Sequence, residues 1–285
     1  MWAAFALAIA VYLLFAVVPT LGNVALSLTG YTGLPGTPID FVGFHNYVQL
    51  VTTQLPGFKN SLIVTAIFVA GVTIFQNMIG MMLAHRLRAE TRHAALLRVL
   101  VFLPIVLGVT VVGLIWLLLM DPLAGPVPNL LAQLGVHSAF FGSSNLALPL
   151  VIIVQIWQNL GFTMVVFIGG LNAIPQEIYD AASVDGVGAW RRFVNITFPL
   201  MAPSVTANVL LAVVGSFTTY NLIYVLTAGQ FNTDTLGMLS FNAAFGLTAD
   251  VGYGATVSVV LFVLTLIIAL PLLGWLRHRE RALFA

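Results

Sequence analysis

The chain has 285 residues, 60% of them hydrophobic and 7% charged, with a formal net charge of +1 and a mean hydropathy of +1.05. A soluble domain carries roughly 25% charged residues, so this much apolar surface needs a bilayer as its solvent, and the near-neutral balance excludes nucleic-acid binding as a main activity. Cysteine is absent and lysine occurs once, at Lys59, which excludes a disulfide framework, a thiolate metal site, a cysteine nucleophile and a P-loop.

In chain order, six stretches are long and apolar enough to cross a membrane, each needing about 20 residues: residues 2–28, 61–84, 99–120, 146–170, 204–228 and 254–276. None of them contains Asp, Glu, Lys or Arg. The first lacks a basic n-region and a small-residue cleavage site, so it reads as a retained span rather than a signal peptide. The expected fold class is therefore all-α, a polytopic membrane helical bundle of about six transmembrane helices in a single domain over residues 1–285.

Arginine fixes the expected orientation. Arg86, Arg88, Arg92 and Arg98 lie between spans two and three, Arg191 and Arg192 between four and five, and Arg277, Arg279 and Arg281 after span six. These nine fall on one side of an alternating topology, against Lys59 alone on the other. The asymmetry predicts a multi-pass inner- or plasma-membrane protein with both termini cytoplasmic. It also supports the count of six, since losing one span scrambles it.

The outer loops are modest. Residues 29–60 carry the turn signals Gly30, Gly33, Pro35, Gly36 and Pro38; residues 121–145 hold a short amphipathic helix from Asn129 to Leu134 after a stop at Asp121–Pro122; residues 229–253 contain Asp234 and Asp250. The informative loop is cytoplasmic, residues 172–203. Pro175 followed by Glu177 is a helix-start signature, Ala181 and Ala182 are strong helix formers, and Gly186 and Gly188 end that helix. Trp190, Phe193 and Ile196 then recur at three-residue spacing, predicting a second short helix with an apolar face. Such a helix-turn-helix either lies on lipid headgroups or docks a cytoplasmic partner.

Asp180-Ala181-Ala182, Gly186 and Ile196-Thr197-Phe198-Pro199 resemble the EAA loop of binding-protein-dependent ABC importer permeases: Glu-Ala-Ala, three residues, Gly, nine residues, Ile-x-Leu-Pro. The spacing matches throughout. Asp180 stands for the Glu and Phe198 for the Leu. Gly43-Phe44-His45-Asn46-Tyr47, Asn60-Ser61-Leu62, the run Tyr220–Thr227 and Gly252-Tyr253-Gly254-Ala255 are similar to segments of the carbohydrate-uptake class, in particular the longer permease subunits of the maltose and glycerol-phosphate type, without the large external insertion of the maltose subunit. The resemblance implies a type I ABC importer permease (MetI-like) fold working by alternating access. It implies a second permease subunit forming a heterodimer, two ATP-binding subunits that hold the ATP and Mg, an extracytoplasmic solute-binding protein, and no cofactor or enzymatic activity in this chain. It further implies that Asp180, Ala181, Ala182, Asp185, Gly186, Arg191, Phe193, Ile196 and Pro199 couple to the ATPase. For Arg191 and Arg192, ordinary positive-inside anchoring is an equal alternative.

Ionisable groups in a span mark ion or proton pathways, and these spans have none, which favours a partner's energy and a neutral solute. Uncharged polar residues do recur on helical faces: Gln155, Asn159 and Thr163 in span four beside Phe162, and Ser216, Tyr220 and Tyr224 in span five beside Thr219 and Asn221. Amides, hydroxyls and aromatic rings suit a sugar. The same residue types equally serve interhelical hydrogen bonds, the reading preferred for Thr73, Gln76, Asn77 and Gly80 of span two. A stand-alone facilitator for small neutral solutes also explains uncharged spans, but leaves residues 172–203 without a task. A membrane enzyme lacks any acid, base and nucleophile cluster.

Overall fold

The computed structural model describes residues 2–247 and 249–284. In order, the helices are α1 Trp2–Tyr12 and α2 Val18–Leu26, joined by a π turn; α3 His45–Val51; α4 Leu55–Leu87; α5 Arg92–Val106; α6 Val109–Leu119; α7 Pro126–Ala132; α8 Ala147–Asn172; α9 Gln176–Val184; α10 Ala189–Arg192; α11 Phe198–Leu200; α12 Ala202–Thr218; α13 Asn221–Thr227; α14 Leu236–Phe245; and α15 Val251–Phe284. An all-helical architecture is what a membrane demands of these apolar runs, because a helix satisfies its own backbone.

Four helices are long and apolar enough to cross a membrane on their own, and the count reaches six when two bent pairs are each taken as one span. The expected third span, residues 99–120, falls on one bent pair, and the expected fifth, residues 204–228, overlaps the other. In span three, α5 and α6 meet at 102°. Pro104 removes a helical hydrogen bond, and Leu107 and Gly108 take extended backbone with ψ of 137° and 142°. The Gln158 side chain of α8 donates to the Leu107 carbonyl at 3.4 Å, supplying a partner that the break removes. At the entry to span five, the loop segment from Ala189 to Leu200 turns by 71° into α12, and α12 itself stops at Thr218, where Thr219 is extended with ψ of 117°. Thr218 donates its hydroxyl to the Val214 and Gly215 carbonyls and Thr219 donates to Gly215, so the side chains fill acceptors that the helix end leaves open. Asp121 stops span three as expected, accepting from the amides of Leu123 and Ala124.

The chain divides into two compact units. In the first, residues 1–65 and 234–265, Asn46 donates to the carbonyls of Ser27 and Thr29 at 3.1 and 2.9 Å, the Tyr47 hydroxyl meets Ser27 Oγ at 2.8 Å, and Thr256 donates to Ser27 at 3.0 Å. Residues 43–47 and 252–255 thus serve packing: a Cβ on Gly252 would strike the Thr29 carbonyl, and one on Gly254 would approach the Ala244 amide to 2.8 Å. Ser61 donates to Asp234 at 2.9 Å and Thr65 accepts from the Leu236 amide. Burial pushes the Asp234 carboxyl up from its ordinary range, partly offset by that Ser61 bond.

In the second unit, residues 66–233 and 266–285, α8 is the central helix and packs most extensively on α5. The contact is backbone on backbone: a Cβ on Gly161 would come within 2.5 Å of Phe102 Cα and 2.6 Å of the Val101 carbonyl. An apolar core of Ala84, Leu87, Ala94, Phe167, Leu171, Tyr179 and Met201 closes the arginine-rich end of the unit. Gly161→Ala should therefore lower the melting temperature and folded yield of the purified protein. Gly169→Ala, where an added Cβ meets nothing within 4 Å, should match wild type or gain up to about 1 kcal/mol from helix propensity.

Candidate functional site: the coupling loop and a polar cavity

Residues 172–203 form the expected helix-turn-helix. Helix α9 ends with Asp185 at its C-cap and Gly186 in the left-handed region at φ +70°. Val187 N–H donates to the Ala182 carbonyl at 3.0 Å and Gly186 N–H to Ser183 at 3.2 Å, the paired closure of a Schellman turn. Nothing lies within 4 Å of a Cβ on Gly186, so the glycine is required by φ and not by crowding. Gly188 then takes extended backbone and opens α10.

Tyr179 holds the two arms together. Its ring is buried, with the Arg88 guanidinium 5.3 Å and the Arg192 guanidinium 6.0 Å from its centroid. Thr197 donates to its hydroxyl at 3.4 Å, and Arg192 reaches Ser183 Oγ at 3.3 Å. The EAA pattern singles out Asp180, Ala181 and Ala182 but not Tyr179 beside them; an aromatic one residue from a charged helix face was the available signal. Of the residues expected to couple, Asp180, Ala181, Asp185, Gly186 and Arg191 are exposed, whereas Ala182 is buried and Phe193, Ile196 and Pro199 are half-buried. The exposed group shares the surface with Val184, 88% exposed and absent from the sequence-based set. Gln176 donates to Asp180 at 3.0 Å and holds its carboxylate along the helix.

The second feature is a cavity of about 150 Å³ in the second unit between α4, α8 and α12, lined by Gln76, Gln155, Asn159, Phe162, Thr163, Asn208 and Ser216 with Val72, Leu211, Ala212 and Gly215. Five of the residues expected on the solute path meet here: Gln155, Asn159, Phe162, Thr163 and Ser216. Four do not. The break at Thr219 ends the helical face that was to carry Ser216, Tyr220 and Tyr224 together, so Thr219, Tyr220, Asn221 and Tyr224 lie outside the cavity lining. Asn208 and Gln76 join it instead. Asn208 escaped notice because it lies eight residues before Ser216, about two turns away, with no polar side chain between the two.

Inside the cavity the two uses of polar groups separate. Thr163, 2% exposed, accepts from Gln76 Nε2 at 2.8 Å through its hydroxyl and from Asn208 Nδ2 at 3.1 Å through its carbonyl, tying α4 and α12 to α8. A Cβ on Gly80 would sit 2.6 Å from the Thr163 methyl, so that glycine lets the two helices approach. Asn159 donates back to the Gln155 carbonyl at 2.9 Å. Ser216, 3% exposed, has a buried hydroxyl without a partner, and Phe162 is 41% exposed. The cavity thus offers amides, an unpaired hydroxyl and a ring, with no charged side chain in its lining. Among the described residues no cluster of His, Asp or Glu has metal-binding geometry.

Residues 76–280 match the signature of the binding-protein-dependent transport system inner membrane component. The chain belongs to that family. It is a membrane-embedded permease subunit of an ABC importer. A probable ABC transporter permease of Pyrococcus horikoshii is 31% identical, over 94% of this chain and 91% of that protein. The trehalose/maltose transport system permease MalF of Thermococcus litoralis is 29% identical over 90% and 86%. A chain of the crystal structure of a bacterial alginate ABC transporter, in complex with an alginate pentasaccharide-bound periplasmic protein, superposes with a TM-score of 0.80, covering 99% of this chain and 93% of that one at 18% identity, a likeness of fold.

The Thr163 junction has a measurable energy. Interhelical hydrogen bonds in membranes average about 0.6 kcal/mol and reach about 1.7. Thr163→Val should cost about 1 kcal/mol in unfolding of the detergent-solubilised permease by leaving Gln76 unpaired. Gln76→Leu in the same background should cost less than it does alone, giving a favourable coupling energy in the double-mutant cycle.

Proposed function

We propose that this permease carries a neutral sugar or oligosaccharide, delivered by a solute-binding protein, along a path that includes the cavity at Gln155, Asn159 and Ser216. The charge-free lining of amides, hydroxyl and aromatic ring carries this reading. A sugar hydroxyl both donates and accepts, so it answers an amide and a serine equally, and Phe162 offers apolar area to a ring face. An anionic solute would want Arg or Lys in the lining, where this chain has none. The trehalose/maltose relative supports the same class. At about 150 Å³ the cavity is one wall of a path, and a second permease subunit, forming a heterodimer, supplies the other.

The energy enters from two separate ATP-binding subunits, which hold ATP and Mg and carry out the hydrolysis. Their closure pushes on the exposed face of Asp180, Ala181, Val184, Asp185, Gly186 and Arg191. Through the Tyr179 junction α9 and α10 respond together, and α9 follows α8 after a connection of three residues, so the push reaches the helix that bears Gln155 and Asn159. Both termini and this loop are cytoplasmic, as the nine-to-one distribution of basic residues predicts.

Two experiments test these roles in the assembled transporter in proteoliposomes. In the Gln155→Leu and Asn159→Leu variants, half-saturation for transported sugar should rise about tenfold each, the equivalent of about 1.4 kcal/mol, while basal ATP hydrolysis stays at the wild-type rate. Unchanged uptake in both would remove the cavity from the path. In the second experiment, Gly186→Val forces a β-branched residue into a left-handed backbone. Uptake should fall at least tenfold with the complex still inserted and hydrolysing ATP, whereas Gly186→Asn, which tolerates that conformation, should retain most transport.

A further inference from the structure

A groove of about 520 Å³ opens at the arginine-rich end of the second unit, lined by Met81, Met82, Leu83, His85 and Arg86 of α4 and by Ala189, Trp190 and Phe193 from the loop. It is separate from the polar cavity and from the exposed α9 face. Its walls differ along its length. Met81, Met82 and Leu83 belong to the apolar stretch of a helix that crosses the membrane, with Met82 well exposed. His85 and Arg86 follow at the end of that helix. Trp190 is 76% exposed and its ring stacks on Phe193 at 6.1 Å, with His85 set edge-on to the other ring at 6.1 Å.

The basic residues around this end divide by partner. Arg88 and Arg192 lie over Tyr179. Arg86 is exposed, and among the described residues no carboxylate pairs with it. An apolar trough leading to an unpaired guanidinium, flanked by an interfacial tryptophan, has the polarity profile of one phospholipid: chain against methionine and phenylalanine, ring at the headgroup level, cation at the phosphate.

We propose that this groove is a binding site for an anionic phospholipid, with Arg86 taking the headgroup phosphate, Trp190 at the headgroup level, and Met81, Met82 and Phe193 against the acyl chain. An apolar trough that ends at an exposed guanidinium with no carboxylate partner matches an amphiphile with an anionic head, which is why lipid is the favoured occupant. Arg86 offers a planar fork that fits phosphate oxygens bidentately. Met side chains adapt to a mobile chain.

The test uses the assembled transporter in nanodiscs containing photoactivatable phosphatidylglycerol or, at the same mole fraction, the phosphatidylcholine analogue, with cross-linked peptides mapped by mass spectrometry. Phosphatidylglycerol should label the segments 81–86 and 189–193 at least fivefold more than phosphatidylcholine. Arg86→Gln should bring the ratio close to one, Arg86→Lys should keep most of it, and Trp190→Ala should lower labelling by both lipids. Equal labelling by the two lipids in wild type overturns the proposal. So does labelling that appears only after the ATPase subunits are stripped away, since the groove is then a protein interface.

Discussion

A helix that breaks inside hydrocarbon leaves backbone groups with no water to turn to, and each such group left bare costs several kcal/mol. Much of the second unit depends on meeting that constraint. The turn between α5 and α6 survives because Gln158 reaches the Leu107 carbonyl from α8. The end of α12 survives because Thr218 and Thr219 return their hydroxyls to carbonyls of their own last turn. Both breaks let the chain change direction beside α8, and α8 in turn carries the residues of the polar cavity. The cavity is affordable for the same reason: Thr163 absorbs the amides of Gln76 and Asn208, so the polar atoms left over are those of Gln155, Asn159 and Ser216, on the open side.

The sequence disclosed the class of fold through a sum over many residues. Hydropathy picked out six apolar stretches, and these correspond to the four helices, or up to six with the bent pairs, that are long and apolar enough to cross a membrane. What it could not disclose were the breaks at residues 107–108 and at Thr219. Pro104 is visible, but prolines inside membrane helices are tolerated when neighbours satisfy the backbone, and the neighbour here, Gln158, is 51 residues away. At Thr219 no proline or glycine marks the break; it follows from a local competition in which threonine hydroxyls replace backbone donors. A fixed 3.6-residue period carried across that point placed Tyr220 and Tyr224 below Ser216, and the extended Thr219 removed the premise.

The site was legible to the same degree. Spacing of four in α8 brought Gln155, Asn159, Phe162 and Thr163 to one wall because that helix runs unbroken for 26 residues. Thr163 lines the same cavity and also accepts from Gln76 and Asn208 of two other helices, ties that no spacing encodes. In the loop, glycine at 186 announced a turn, and the structure supplies the reason: a left-handed φ closing α9. Tyr179 was easy to miss in sequence because its work is done through contacts with Arg88 and with Arg192 and Thr197, which lie on segments other than its own.

The close approach at Gly161 governs how this machine can move. Side chains that interdigitate allow two helices to slide by exchanging rotamers. A bare α-carbon set against the backbone of Phe102 and Val101 allows no such exchange, so α5 and α8 behave as one rod. The hinge at Leu107 and Gly108 sits just beyond the end of that rod. In the proposed cycle, a force on α9 would tilt the pair as a lever, and the angular change would collect at the bend beyond it, where α6 and α13 meet. Transport in this fold would then be geared: a small displacement at the loop becomes a larger swing at the far end, with the ratio set by the distance from the tip of α9 to residue 108.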